Sequence, residues 1–267
     1  MSYFDAPSLL PEATGQVMAW ARQAGEIALR QFNNISPQCK SDSTFLTEAD
    51  LEIERFLTER FQTAYPDHNL IGEEGVRNQQ EQLSPNVWVI DPIDGTTAFV
   101  QGLPGWGISI GLLRYGQPYF GLYYMPLLDD MTYITSQGDV YCNKHNLAGM
   151  LRSDWDQKGF LAINATAHYE FQINLKRTRA LGSISTNLVY TARGTATATF
   201  APKAHLWDLV AGAAILLRVG GELRYLSGRP VNYLELLDGR LTPEPIIAGH
   251  PQVLAELPDL IRPHQSL

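Results

Sequence analysis

The sequence predicts a mixed α/β chain, α+β in its details, in which helices cover sheets. Three observations carry that prediction. Residues 17–32 and 53–64 repeat apolar side chains at helical spacing. Residues 87–135 hold short apolar runs rich in β-branched and aromatic residues. After residue 160, strand-like and helix-like segments alternate.

Taken in order, Val17, Ala21, Ala24, Ala28 and Phe32 recur every three or four positions after Pro11 and Thr14, which reads as a first helix. A second begins near Thr47. Thr47 and Asp50 stand as N-cap and reciprocal acid, and Ile53, Phe56, Leu57, Phe61 and Ala64 form its apolar stripe. Val87-Trp88-Val89-Ile90 reads as a buried strand that runs directly into Asp91-Pro92-Ile93-Asp94-Gly95-Thr96-Thr97. Strands over 107–113 and 119–124 flank the turn Tyr115-Gly116-Gln117-Pro118, and 131–135 is a fourth strand. The polar stretch 136–159 marks the expected boundary between an N-terminal half, 1–140, and a C-terminal half, 141–267. Beyond it come a strand at 160–164, a helix at 185–192 closed by Gly194, and a strand at 195–200. A helix at 207–219 stopped by Gly220-Gly221, a strand at 246–248 and a helix at 252–257 complete the chain.

The 267 residues suffice for one large domain or two joined ones. Acidic residues number 28 against 20 basic, a net charge of −8, which argues against nucleic-acid and anionic-membrane partners. A small anionic substrate remains compatible if something local inverts the sign. Cys39 and Cys142 are too few for a disulfide framework or a four-thiolate zinc site and are expected as reduced thiols. The N-terminus lacks a basic start and an apolar run, so no signal peptide is expected. The longest apolar stretch, 209–217, is far below the roughly 18 residues of a membrane span. The expected location is cytoplasmic.

The chemistry concentrates in carboxylates at element ends. Asp91 closes a buried strand, and Pro92 removes a donor and keeps Asp91 extended. Asp94 follows, then Gly95, which permits close backbone approach, then the hydroxyls of Thr96 and Thr97. Two carboxylates so placed suit a divalent cation, and the amides of the next helical turn suit a phosphate oxygen. The same D-x-x-D-G also reads as a plain turn with solvated acids. Glu73 and Glu74, between Gly72 and Gly75, and Asp208, at the head of the 207–219 helix, complete an inventory for two or three hard cations.

These segments resemble the inositol monophosphatase family of Mg²⁺-dependent phosphatases, over nearly the whole chain. FLTEAD at 45–50 resembles its V-T-x-x-D segment, IGEEG at 71–75 its G-E-E loop, and WVIDPIDGTTAF at 88–99 its central signature. GSIS at 182–185 resembles its G-S/T-A-A segment, and WDLVAGAAILLRVGGEL at 207–223 its W-D-x-A-A-G…G-G signature. The resemblance implies a layered α-β-α-β-α sandwich with the active site between the halves. It implies two or three Mg²⁺ ions, replaceable by Mn²⁺, and a small phosphorylated substrate. Glu73, Asp91 and the carbonyl of Ile93 would hold one metal; Asp91, Asp94 and Asp208 would hold a second; Glu73 would assist a third. Thr96, oriented by Asp50, would position and deprotonate the attacking water, with Glu73 alongside in the catalytic set. The amides of Gly95 and Thr96 would grip the phosphate, and Gly182 and Ser183 would face the substrate. Family members are commonly homodimers.

The chain also departs from the family. Inositol-binding members carry a glutamate seven residues before the W-D aspartate, where this chain has Ala201, and an aspartate in the strand before it, where this chain reads TATAT at 195–199. FVQGLPGWGISIGL at 99–112 resembles the histidinol-phosphate phosphatases of the superfamily, which makes histidinol phosphate a rival to inositol 1-phosphate and related polyol phosphates. No added basic cluster speaks for fructose 1,6-bisphosphate or 3′-phosphoadenosine 5′-phosphate. A metal-binding regulatory protein that has lost turnover is the alternative of another class, and the intact carboxylate and Thr96 set argues against it. His205 reads as structural. Trp106 and Lys40 read equally as site residues or as packing and surface residues.

Overall fold

The structure is a computed structural model that describes residues 13–34, 37–39, 45–76 and 84–264. Lys40 lies outside them. In the first half, the elements are α1 (Ala13–Gln31), β1 (Gln38–Cys39), β2 (Phe45–Leu46), α2 (Glu48–Ala64), β3 (Asn69–Gly72), β4 (Asn86–Asp94) and α3 (Thr96–Val100). Strands β5 (Gly107–Arg114), β6 (Gln117–Met125), β7 (Asp130–Ile134), β8 (Val140–Cys142) and β9 (His145–Asn146) follow. The second half holds β10 (Leu161–Ile163), α4 (Ala167–Glu170), β11 (Phe171–Ile173), β12 (Thr178–Arg179), α5 (Ile184–Ala192), β13 (Ala198–Ala201) and α6 (Leu206–Arg218). It ends with β14 (Glu222–Tyr225), β15 (Ile246–Gly249), α7 (Pro251–Leu260) and β16 (Ile261–Pro263).

Strands β3 to β9 form one seven-stranded sheet in sequence order, parallel only between β3 and β4. Side-chain alternation then sorts helices onto its two faces. On one face Trp88 stacks tilted on Phe61 of α2 at 4.6 Å and meets Phe120 edge-on at 5.9 Å. On the other face Gly111 and Gly121 are paired across β5 and β6, and a side chain at either would strike Val210 or Ala211 of α6. That paired absence of Cβ lets α6 lie close to the strands. A five-stranded sheet, ordered β12-β10-β13-β15-β14, packs against the far side of α5 and α6, and α7 covers β15. The result is the α-β-α-β-α layering.

Thr47 caps α2 with Asp50 as its reciprocal partner, as the sequence predicts. Other readings need correction. Ala64 is exposed rather than part of the α2 stripe, because the helix ends there; Glu54 is buried in its place. The strand expected at 195–200 starts only at Ala198. The amides of Thr195 and Ala196 both bond the carbonyl of Tyr190 as the chain leaves α5. The polar stretch 136–159 contributes β8 and β9 to the edge of the large sheet, where polarity reflects an edge. Cys39 and Cys142 are free thiols. Among the described residues, no helix is long and apolar enough to cross a membrane.

Candidate active site

Asp91 and Asp94 are three positions apart, so a regular strand would send them to opposite faces. The pairing of β4 with β5 slips between them. Asp91 stands opposite Ser109 and Asp94 opposite Gly107, so β4 carries one extra residue, a bulge at Pro92-Ile93. Proline, lacking an N–H, fits where a ladder bond is lost. Beyond the bulge, Gly95 adopts the left-handed conformation at φ 97°, and a Cβ there would lie 2.9 Å from the carbonyl oxygen of Gly105. This turn starts α3, and the hydroxyl of Thr96 donates to the carbonyl of Ile93 at 3.1 Å.

Asp208 arrives from the opposite half, in the first turn of α6. The amide of His205 donates to its Oδ2 at 2.7 Å, and Ser185 Oγ donates to its backbone carbonyl at 2.9 Å. His205 Nδ1 donates to the carbonyl of Gly239 at 2.8 Å, and the ring stacks on Trp207, so His205 is a structural residue.

Carboxylate oxygens of Asp91, Asp94 and Asp208 all lie within 4.8 Å of one another. Asp91 and Asp94 are buried, and Oδ1 of Asp91 and Oδ2 of Asp94 have no hydrogen-bond partner. Burial, then the charges of Glu73, Asp94, Asp208 and Asp50, hold the Asp91 carboxyl well above the usual carboxylate range. Burial pushes Asp94 up to about 6, while the hydroxyls of Ser183, Tyr123 and Ser185 act in the other direction. Burial and then Asp94 raise Asp208, against the amide of His205. Glu73, partly buried just past β3, stands outside the 4.8 Å group, yet its charge reaches Asp91. Asp50 is fully buried, and its Oδ2 accepts from the amide and the hydroxyl of Thr47 at 2.7 and 2.6 Å. Convergent, orphaned, hard oxygen donors of one charge fit a divalent cation.

Asp94, alone of the three, lines a cleft of about 720 Å³, within the size range of small-molecule sites; Asp91, Asp208, Glu73 and Thr96 stand outside that lining. Asp94, Gly95, Gly182, Ser183, Asn164 and Asn187 are among its lining. Gly105 and Gly182 close one wall, where a Cβ on either would collide with the backbone of the other loop. Ala201 is not in that lining; it is fully buried in β13, paired with Ile246. Trp106 is fully buried against Phe99 at 4.8 Å and Phe32 at 5.6 Å, so it packs. Sequence reasoning named Ser183 as substrate-facing but missed the hydroxyl set it joins beside Asp94. The phenol of Tyr123 bonds Ser183 Oγ at 3.1 Å and Thr186 Oγ1 at 2.7 Å. Ser183 is the N-cap of α5, its side chain accepting from the amide of Thr186, one position earlier than the sequence reading of a helix at 185–192 would place it; Tyr123 reads in sequence as any core aromatic.

The comparisons agree with this architecture. The chain is 31% identical to inositol-1-monophosphatase of Bacillus subtilis across 247 residues, covering 88% of this chain and 90% of that one. It is 27% identical to the fructose-1,6-bisphosphatase/inositol-1-monophosphatase of Thermotoga maritima, covering 70% and 73%. An IMPase structure from Thermotoga maritima superposes with a TM-score of 0.79 at 21% identity, covering 93% of this chain and 96% of that one, which speaks to the fold. The model of the inositol monophosphatase family matches residues 10–258. The chain therefore belongs to the inositol monophosphatase family and is a phosphoric monoester hydrolase.

Proposed function

We propose that the chain is a Mg²⁺-dependent phosphomonoesterase acting on a small alcohol phosphate, inositol 1-phosphate or a related polyol phosphate. The observation that carries this reading is the meeting of Asp91, Asp94 and Asp208 within 4.8 Å, with buried, unbonded carboxylate oxygens, at the edge of a cleft. In this reading Glu73, Asp91 and the Ile93 carbonyl would hold one Mg²⁺, and Asp91, Asp94 and Asp208 would hold a second, with Mn²⁺ able to substitute. Residues 1–140 supply most ligands, and 141–267 supply Asp208 and part of the substrate wall. Bound cations supply charge neutralisation and an acidified water. Thr96, oriented by Asp50, would position the attacking water and help to deprotonate it, with Glu73 alongside in the catalytic set. The amides of Gly95 and Thr96 bind phosphate oxygens, which pre-organises attack. The protein works as a cytoplasmic homodimer on this account.

A second reading, histidinol phosphate, is favoured by one observation. Leu103 and Pro104, from the segment resembling histidinol-phosphate phosphatases, border the cleft. The test is phosphate release by the purified protein from inositol 1-phosphate, histidinol phosphate, fructose 1,6-bisphosphate and 3′-phosphoadenosine 5′-phosphate. Release from inositol and polyol phosphates that a chelator abolishes is the expected result. Dominant release from histidinol phosphate selects the second reading, and no release from any of them at any Mg²⁺ concentration overturns both.

A further inference from the structure

Glu54 is a buried carboxylate on α2, four residues and so about one turn beyond Asp50. It faces backbone. Its Oε2 accepts from the amide of Glu74 at 2.8 Å, and its Oε1 accepts from the amide of Val76 at 3.0 Å. The segment it grips is closed on itself, with the amide of Gly72 donating to the carbonyl of Val76 at 2.9 Å. Both glycines of the G-E-E-G run have a reason here. A Cβ on Gly72 would collide with the Glu54 carboxylate, and Gly75 has φ +116°. Between them sits Glu73, whose charge reaches Asp91.

We propose that Glu54 is a positioning residue that holds the Glu73 loop in register with Asp91. The proposal rests on the metal role given to Glu73 above. Two charge-assisted bonds from one carboxylate fix the loop more firmly than two neutral ones. Groups of this kind, one step removed from the ligands, commonly alter metal affinity about 10–100-fold when changed. Helix α2 thereby serves the site twice on neighbouring turns, through Asp50 and through Glu54.

The test compares wild type, Glu54→Gln and, as a control on the same helix, Glu52→Gln. Glutamine keeps the shape and one acceptor but faces the second amide with a donor. Two readouts are taken: amide hydrogen exchange at Glu74 and Val76 in the metal-free protein, and Mg²⁺ affinity by calorimetry. Glu54→Gln is expected to speed exchange at both amides and to weaken Mg²⁺ about tenfold, with turnover at saturating Mg²⁺ within about threefold of wild type. The control is expected to match wild type. Unchanged exchange, or faster exchange with unchanged Mg²⁺ affinity, overturns the proposal. A wild type that binds no Mg²⁺ overturns the metal reading of Glu73 and this inference with it. A variant that matches a metal-binding wild type overturns this inference alone. Should Glu54→Gln melt below the assay temperature, Glu54→Asp carries the same comparison.

Discussion

The two sides of the cleft are built differently. On the carboxylate side, backbone devices position each group: a β-bulge for Asp91 and Asp94, a helix first turn for Asp208, and the left-handed Gly95 for the turn into α3. On the opposite side, the lining comes from loops and helix faces, including Leu103 at 50% exposure and Leu128 at 51%. The first side is anchored in the core of the seven-stranded sheet; the second stands at the surface. The carboxylates are thus placed by backbone geometry in the core, a strand register for Asp91 and Asp94 and a helix turn for Asp208, whereas the exposed lining residues can vary without disturbing the fold.

The sharpest way to break that comparison is Asp91→Asn. Asp91 is the carboxylate assigned to both cations, so its loss is expected to lower kcat/KM on the order of 10⁴-fold, about 5 kcal/mol. Asp94→Asn and Asp208→Asn are expected to cost less. Steady-state kinetics over a Mg²⁺ series, with melting curves as the folding control, checks the ranking. If Asp91→Asn proves the mildest of the three, the bridging assignment fails.

Thr96→Ala comes next. Its hydroxyl bonds the Ile93 carbonyl and is assigned to the attacking water, so turnover is expected to fall about 10²-fold with Mg²⁺ affinity little changed. Joint titration of activity and Mg²⁺ activation decides this; near-normal turnover removes Thr96 from the reaction.

Changes on the opposite side should be smaller. Asn187 is buried on α5, lines the cleft, and its Oδ1 has no hydrogen-bond partner. Asn187→Ala is expected to shift the ratio of kcat/KM between inositol 1-phosphate and histidinol phosphate by about tenfold or less, roughly 1.4 kcal/mol. Ala201 is buried within β13, outside the cleft lining, so it does not decide selectivity. With this side of the cleft formed by exposed loop side chains such as Leu103 and Leu128, selectivity among polyol phosphates is expected to be weak. A shift or preference of about a thousandfold would mean that the surface side is as tightly specified as the carboxylate side.

How much of this was legible in the sequence follows the same division. The capping pair Thr47 and Asp50, the strand entering Asp91, and the α6 helix carrying Asp208 all depend on local pattern, and each stands where the pattern puts it. The bulge at Pro92-Ile93 was not legible, because it is a relation between two strands. Neither was the hydroxyl set of Tyr123, Ser183, Ser185 and Thr186 around Asp94, since Tyr123 and Ser183 are 60 residues apart and meet only through packing. Trp106 looked open to two readings because a tryptophan beside glycines suits a cleft mouth as well as a core; its contacts with Phe32 and Phe99 place it in the core. Glu54 carries no sequence signal of its own, because the amides of Glu74 and Val76 reach it only through folding.

On the proposed reading, the buried carboxylates are arranged for a cation at the expense of the metal-free fold. A carboxyl whose folded-state pKa is raised binds its proton more tightly when folded. It therefore lowers stability as pH rises from the ordinary carboxylate value through the folded one. For Asp94 that window runs from 3.8 to about 6, and the penalty at neutral pH is on the order of 2–3 kcal/mol. The most direct measurement is thermal melting of metal-free wild type and Asp94→Asn from pH 4 to 8, repeated with Mg²⁺. The account predicts that wild type melts several degrees below the variant at pH 7.5 and that the gap closes toward pH 4. It predicts further that Mg²⁺ raises wild type far more than the variant. Equal melting at pH 7.5, with equal response to Mg²⁺, would contradict it.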